Sequence, residues 1–515
     1  MLIGHLAGLQ LTELWSLRDD TFVHFDCAPS APPCPVVLDT RWGELRLDTP
    51  GPAVREALRR MRTGPVSLRN VVADFPESGR AAPGQALSTE ASELLAVLDR
   101  IRHVVVRTLA VGSVPLLSVV PLSSQAGFAP QPLSPRRPAR LSRFTVLRYA
   151  RGALCLESPL SHHRAELLRP EASVLLARLC GTPVNAAAVP EEWGPAALPD
   201  AVVDTALSYL AAAGLAVLAE TGGGPGAPPR FGEDHDPALL AWSPDDLLLH
   251  SRSRLGRHDG DVGATFEHAA RLPAEPVVKP SHGTRRTLPL PRPEPDGAGR
   301  DGTAFSTVLE RGPSLPVGAG ELTRDQIGSL LYQAARVRSV FAPGRGAPEG
   351  YLHSERPYSS LGDTYALELY LLFPPERKNV WPAPGAYHYD PAAHALEKMD
   401  EVPEALAELA VLAQAEGQLA DPPELLITIT ARFGRASGRF SGIAYASVLK
   451  DVGALQQTLS LVATALGLGS CALAIGDADA AARALGLDWR TESSVGEFLI
   501  GAPVPAGTAA EPGTA

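Results

Sequence analysis

The sequence predicts an α+β fold laid out in successive domains, and three observations carry that prediction. A hydrophobic strand, helix, loop, helix and Gly-Leu-strand order occurs about twice within the first 220 residues. The stretch from Ala431 to Gly501 then sets out a long helix patterned for burial, a glycine-rich turn, a short helix and the beginning of a Ser-Val-Gly-Glu-Phe strand. The chain of 515 residues is too long for one ordinary core, and its length indicates about two to four domains.

The first segment, residues 1–125, mixes short strands with helices. Val36 to Leu38 and Glu44 to Leu47 read as strands, Ala53 to Met61 and Ser88 to Arg102 as helices, and His103 to Leu109 as a further strand. Proline keeps Gly127 to Arg140 out of any helix, which makes it a linker. In the second segment, residues 141–220, Thr145 to Tyr149 and Ala153 to Leu156 form an expected hairpin. Ala172 to Cys180 and Asp200 to Ala213 are expected helices, and Gly214 caps the second before the strand Leu215 to Ala219. Both segments follow the plan of a winged-helix-like module. Residues 230–302 read as an extended arm, 303–505 as one domain of ordinary size, and 506–515 as a disordered tail.

Charge and composition exclude several functions. A net charge of -11 opposes non-specific nucleic-acid binding. The helix from Asp200 carries no basic residue, which argues against a DNA-reading helix. A peptide strand added to the hairpin edge is the better use of such a module, with simple buttressing of the last domain as the alternative. No run of about 18 apolar residues is present, and the N-terminus lacks the basic and small-residue features of a signal peptide. The five scattered cysteines fit a reducing compartment, so a cytoplasmic protein is expected. No metal-binding spacing, Gly-x-Ser-x-Gly elbow or P-loop occurs. His162-His163 is expected in an exposed loop, and Tyr387-His388-Tyr389 in a structural strand-turn.

Four stretches occur in an order with a known parallel: Asp245 to Asp259, Arg356 to Leu372, Ala383 to Leu396 and Ala431 to Gly501. Together they resemble the SagB/ThcOx-type azoline dehydrogenases of nitroreductase fold, especially thiopeptide-type members. The resemblance covers Asp245 to Pro503. It implies a nitroreductase-like last domain that uses FMN to oxidise thiazolines or oxazolines in a ribosomally made precursor peptide to thiazoles or oxazoles. It also implies a homodimer, or a heterodimer with a paralogous dehydrogenase, and a cyclodehydratase as a further partner.

The resemblance also assigns residues. Its phosphate signature, Arg-Arg-Ser-x-Arg, falls on Gly312-Pro313-Ser314-Leu315-Pro316, where Ser314 matches and Arg311 stands one place earlier. Proline offers no N–H to a phosphate, and the charge-assisted bonds of the arginines are lost. In the next loop Ser360 and Gly362 match, whereas Leu361 adds bulk and Asp363 adds negative charge. Gln457 and Gly467-Leu468-Gly469 match, and Gly476 lies in a thinner glycine turn. A catalytic Lys-Tyr pair falls on Arg439-Phe440; arginine stays protonated and phenylalanine has no hydroxyl, so both are degenerate positions. The clustering of these changes leaves a second reading open: a flavin-poor pseudo-dehydrogenase that binds peptide or partners an active dehydrogenase.

Overall fold

The computed structural model describes residues 11–25, 35–76, 79–81, 84–112, 114–133, 137–179, 200–221, 228–281, 285–293, 304–311, 316–318, 320–344, 346–374, 381–400 and 402–503. The chain divides into two compact units, Met1–Gly260 and Asp261–Ala515.

In the first unit a six-stranded antiparallel sheet runs in the order Leu11–Leu17, Val105–Val111, Val114–Pro121, His163–Leu167, Ala153–Glu157, Val146–Ala150. Strands of the first and second expected segments therefore share one sheet. That pairing joins residues far apart in sequence and leaves no local signature. A three-stranded sheet, Phe22–Phe25, Val36–Thr40 and Gly43–Leu47, packs with helices Pro52–Thr63 and Thr89–Arg100 through Leu38, Leu58, Leu94 and Leu98. Ser88 caps the second helix by accepting from the Ala91 amide at 3.1 Å. Helix Asp200–Ala212 is followed by Gly214 at φ +71°, the left-handed stop that frees the chain to form Ala216–Leu218. His163 corrects one expectation: it is 4% exposed, at the start of a central strand. Its neighbour His162 is half-buried just before that strand, with Nδ1 buried, so neither histidine is exposed in the way expected.

The second unit is an antiparallel sheet with helices on both faces. Its order is Thr287–Pro289, Ala395–Lys398, Gly385–Asp390, Leu367–Phe373, Leu425–Arg432, Glu492–Pro503, Val317–Gly318, with Gly469–Leu473 also on Glu492–Pro503. The central strands are buried along their length because both faces are covered. Leu369 and Leu371 face helices Arg324–Ala335 and Ala444–Ala465, through Leu330, Leu331, Val452 and Leu455. Tyr370 and Leu372 face the opposite layer, helices Pro403–Glu416 and Ala478–Leu485. The alternation follows from the period of two along a strand. This α+β arrangement is the one the sequence predicts. The 22-residue helix Ala444–Ala465 buries Val448, Val452, Leu455 and Leu459 along one stripe.

Candidate active site

The site is built around a loop pinned to the long helix. Asp451 is 5% exposed and accepts from the Ser360 hydroxyl and, at 2.9 Å, from the Leu361 amide. Ser360 Oγ in turn accepts from the Tyr365 amide at 2.9 Å. Burial pushes the Asp451 carboxyl above its ordinary range, against these donors. The loop needs such anchoring because Gly362, Asp363 and Tyr365 all have left-handed φ, of 61°, 53° and 45°. Glycine relieves the strain at the first position; nothing relieves it at the other two.

Arg439 closes on this loop. It donates to the Gly362 carbonyl and, at 3.0 Å, to His353 Nε2. A Cβ on Gly362 would stand 2.8 Å from the Arg439 guanidinium and 3.2 Å from the Phe440 ring, so the close approach requires glycine. A guanidinium only donates, which fixes His353 Nε2 as the acceptor and puts the ring proton on Nδ1, 3.8 Å from Asp363. Burial and the Arg439 charge lower the His353 pKa and favour the neutral imidazole. Arg439 Nε is buried with no hydrogen-bond partner. Phe440 is 6% exposed and belongs to a two-residue ladder in which Ala264 is its partner.

Arg435, 1% exposed, supports this arrangement from below. It donates to the Thr364 carbonyl at 2.9 Å, the Glu275 carbonyl at 3.0 Å and the Leu352 carbonyl, and its guanidinium lies 4.4 Å from the Tyr351 ring centre. Burial lowers its pKa to about 10, which leaves it charged at neutral pH.

A second polar group lies at the end of the sheet. Glu368 accepts from His388 at 3.0 Å and stands 2.9 Å from Arg432. Tyr370 and Thr430 both donate to Glu492, which pairs with Lys279. Burial opposes the charge on Glu368, but the His388 hydrogen bond and Arg432 prevail and hold its pKa near about 2. Glu368 Oε1 and Arg432 Nε and Nη2 are nonetheless buried with no hydrogen-bond partner, and a cavity of about 10 Å³ touches Glu368.

The structure thus brings Ser360, Gly362, Arg439 and Phe440 together and adds His353 and Asp451, which sequence reasoning missed. The available signal for His353 was its place three residues before the Arg356 motif; a lone histidine there does not stand out. Other assigned residues lie apart. Gln457 is exposed on the long helix, while its neighbour Gln456 donates to the Glu497 carbonyl at 3.2 Å. Gly467 has φ +69° and ends the helix: its amide bonds Thr464 and the Leu468 amide bonds Ala463. Leu468 is 1% exposed in the core. A rise of about 1.5 Å per residue separates Gly467 from Asp451 by roughly 24 Å along the helix. A Cβ on Gly469 would lie 2.6 Å from the Pro316 carbonyl, and one on Gly476 would strike the Glu497 carboxylate. Arg311 is exposed at the end of helix Phe305–Glu310, and Ser314 falls outside the described residues.

Comparison with known families now bears on this geometry. Residues 139–259 match the family described as cyanobactin oxidase ThcOx, and residues 319–501 match the nitroreductase family. The chain carries a ThcOx-type domain and, after it, a nitroreductase-family domain. Solved structures similar to it include a candidate nitroreductase from Ralstonia eutropha JMP134, at 22% identity over 45% of this chain and 99% of that one, TM-score 0.32. Another is the E. coli microcin synthetase McbBCD complex with truncated pro-MccB17 bound, at 22% identity over 52% and 96%, TM-score 0.31. A third, from Desulfovibrio desulfuricans, is a complex with FMN, at 12% identity over 41% and 92%, TM-score 0.25. No curated protein matches the chain. The domain assignments rest on the two family matches. Among the described residues no helix is long and apolar enough to cross a membrane, and no group of histidine, cysteine and carboxylate side chains could hold a metal.

Proposed function

We propose that this protein catalyses FMN-dependent dehydrogenation of thiazolines or oxazolines in a ribosomally synthesised precursor peptide. The observation that carries the reading, within a ThcOx-type chain, is the contact of Arg439 with Gly362 and His353. These residues fit the ring of FMN: Arg439 Nε is a buried donor with no partner, and the glycine loop lets backbone and cation meet closely. When bound, FMN supplies the two-electron acceptor for the azoline C–H bond. Arg439, Gly362 and the Ser360 loop would hold it. Arg439 keeps a fixed positive charge where negative charge develops. His353 Nε2 carries the cluster's ring lone pair, which Arg439 occupies here; it takes the proton released from the neighbouring azoline carbon once Arg439 turns from it. Asp451 and Arg435 keep the strained loop in place while this happens. The protein partners are a second copy or a paralogous dehydrogenase, and a cyclodehydratase that forms the azoline.

One observation favours the flavin-poor scaffold instead. The Ser360 hydroxyl and Leu361 amide already serve Asp451, and the spaces beside Gly469 and Gly476 are filled by the protein's own atoms. The purified full-length protein separates the two readings through its flavin absorbance, alone and after addition of FMN. Yellow protein that converts an azoline peptide supports the enzyme; colourless protein that cannot be reconstituted supports the scaffold.

A further inference from the structure

Tyr351 has no role in the chemistry above, yet it stands inside the same cluster. The residue is 4% exposed. Among the described residues its hydroxyl is buried with no hydrogen-bond partner. A hydroxyl shut away from water without a partner costs stability, and phenylalanine would fill the same space without that cost. Buried polar atoms of this kind are few in native proteins, and each calls for a reason.

The surroundings fix the ring. Phe266 meets it edge-on, with ring centres 5.2 Å apart and planes at 81°. His353 does the same at 5.5 Å and 79°. The Arg435 guanidinium lies 4.4 Å from the ring centre and the Arg439 guanidinium 5.8 Å. Phe266 is itself held at a left-handed φ of 51°, strained for a bulky residue, and its amide donates to the Arg439 carbonyl at 3.1 Å. A ring packed in this way does not carry its hydroxyl out to water; only the O–H bond is left to turn. A donor kept fixed and unsatisfied is prepared for an acceptor that the protein does not supply.

Arg439 Nε is a second buried donor of this cluster without a partner. Phe440, the next residue, offers no hydroxyl. Two neighbouring orphan donors call for a ligand with several acceptors along one edge. The flavin ring has such an edge, made of carbonyl oxygens and ring nitrogens, whereas an azoline ring offers its nitrogen alone as a good acceptor.

We propose that the Tyr351 hydroxyl donates a hydrogen bond to the ring of bound FMN, beside Arg439. This rests on the proposed function and adds a ring-binding residue to it.

The test compares the wild-type and Tyr351→Phe full-length proteins, with no peptide present. Each is titrated with FMN, followed by flavin fluorescence and absorbance, and each is unfolded in urea without FMN. The variant is expected to bind FMN roughly threefold to tenfold more weakly, the scale of one hydrogen bond. At saturation its flavin absorbance band is expected to be displaced from that of the wild type, because a donor to the ring tunes the ring's electronics and a donor to the phosphate does not. Its urea midpoint without FMN is expected to equal or exceed the wild-type value. Equal affinity, or superimposable bound spectra, overturns the inference and leaves FMN binding by the protein intact. A lower urea midpoint, or a variant that does not fold, also overturns it, since the hydroxyl then already has a partner in the free protein, such as a buried water. A wild-type protein that takes up no FMN overturns the inference and the proposed function together.

Discussion

The Ser360 hydroxyl donates to the buried carboxylate of Asp451, joining the strained loop to the long helix that packs beneath it. The same carboxylate takes the Leu361 amide. Asp451→Ala leaves both donors without a partner, and hydrogen bonds to charged groups contribute about 1.5–3 kcal/mol each. Urea denaturation is expected to show a loss of roughly 2–4 kcal/mol, the two losses overlapping in part. A change smaller than about 0.5 kcal/mol, the scale of an ordinary surface substitution, would mean that the loop does not depend on this anchor.

Gly362→Ala combines a left-handed backbone with a Cβ placed 2.8 Å from the Arg439 guanidinium. The backbone alone costs about 1–2 kcal/mol for an L-residue. The variant is expected to be less stable and to bind FMN more weakly, because Arg439 must withdraw. Flavin titration of the folded variant checks this. In contrast Gly467→Ala, at φ +69° in the helix stop, is expected to lower stability by about 1 kcal/mol and leave FMN affinity unchanged.

Burial and Arg439 favour neutral His353, so the proposed proton acceptor has its lone pair at neutral pH once Arg439 turns from Nε2. His353→Asn is expected to lower turnover and to remove the acid limb from the pH dependence of kcat, with FMN content unchanged. An unaltered pH profile would assign the proton to another group.

The Glu368–His388 pair makes stability depend on pH from both sides. Glu368 falls from an ordinary 4.5 to about 2 in the fold, so its contribution is present above 4.5 and is lost as pH falls from there toward 2. His388 is raised above 6.5 by its carboxylate neighbours against the effect of burial, so its contribution is full below 6.5 and disappears as pH rises through the higher folded value. Urea midpoints measured across pH are expected to fall on both sides for the wild type, and to flatten on the alkaline side in His388→Gln.

The sequence made the catalytic domain legible because its motifs lie on long, strongly patterned elements. The helix Ala444–Ala465 keeps its apolar stripe, and Gly467 ends it where the pattern stops. The N-terminal sheet was less legible, since Leu11–Leu17 pairs with Val105–Val111 across most of a domain. The sequence marked Gly362 as a match and Arg439 as a departure from a Lys-Tyr pair, and the structure places these two in contact. It was not legible at His353 and Asp451, whose roles come from contacts with residues 86 and 91 positions away. Gly469 and Gly476 showed the opposite ambiguity: glycine that admits a ligand and glycine that admits the protein's own backbone have the same letter.

The most direct test of the central claim is an anaerobic single turnover of FMN-loaded protein with a thiazoline-containing peptide, followed by flavin absorbance and peptide mass. The account predicts bleaching of the oxidised flavin band together with loss of two hydrogens from the peptide, both diminished in Arg439→Gln. A flavin-loaded protein that neither bleaches nor changes the peptide mass would contradict it.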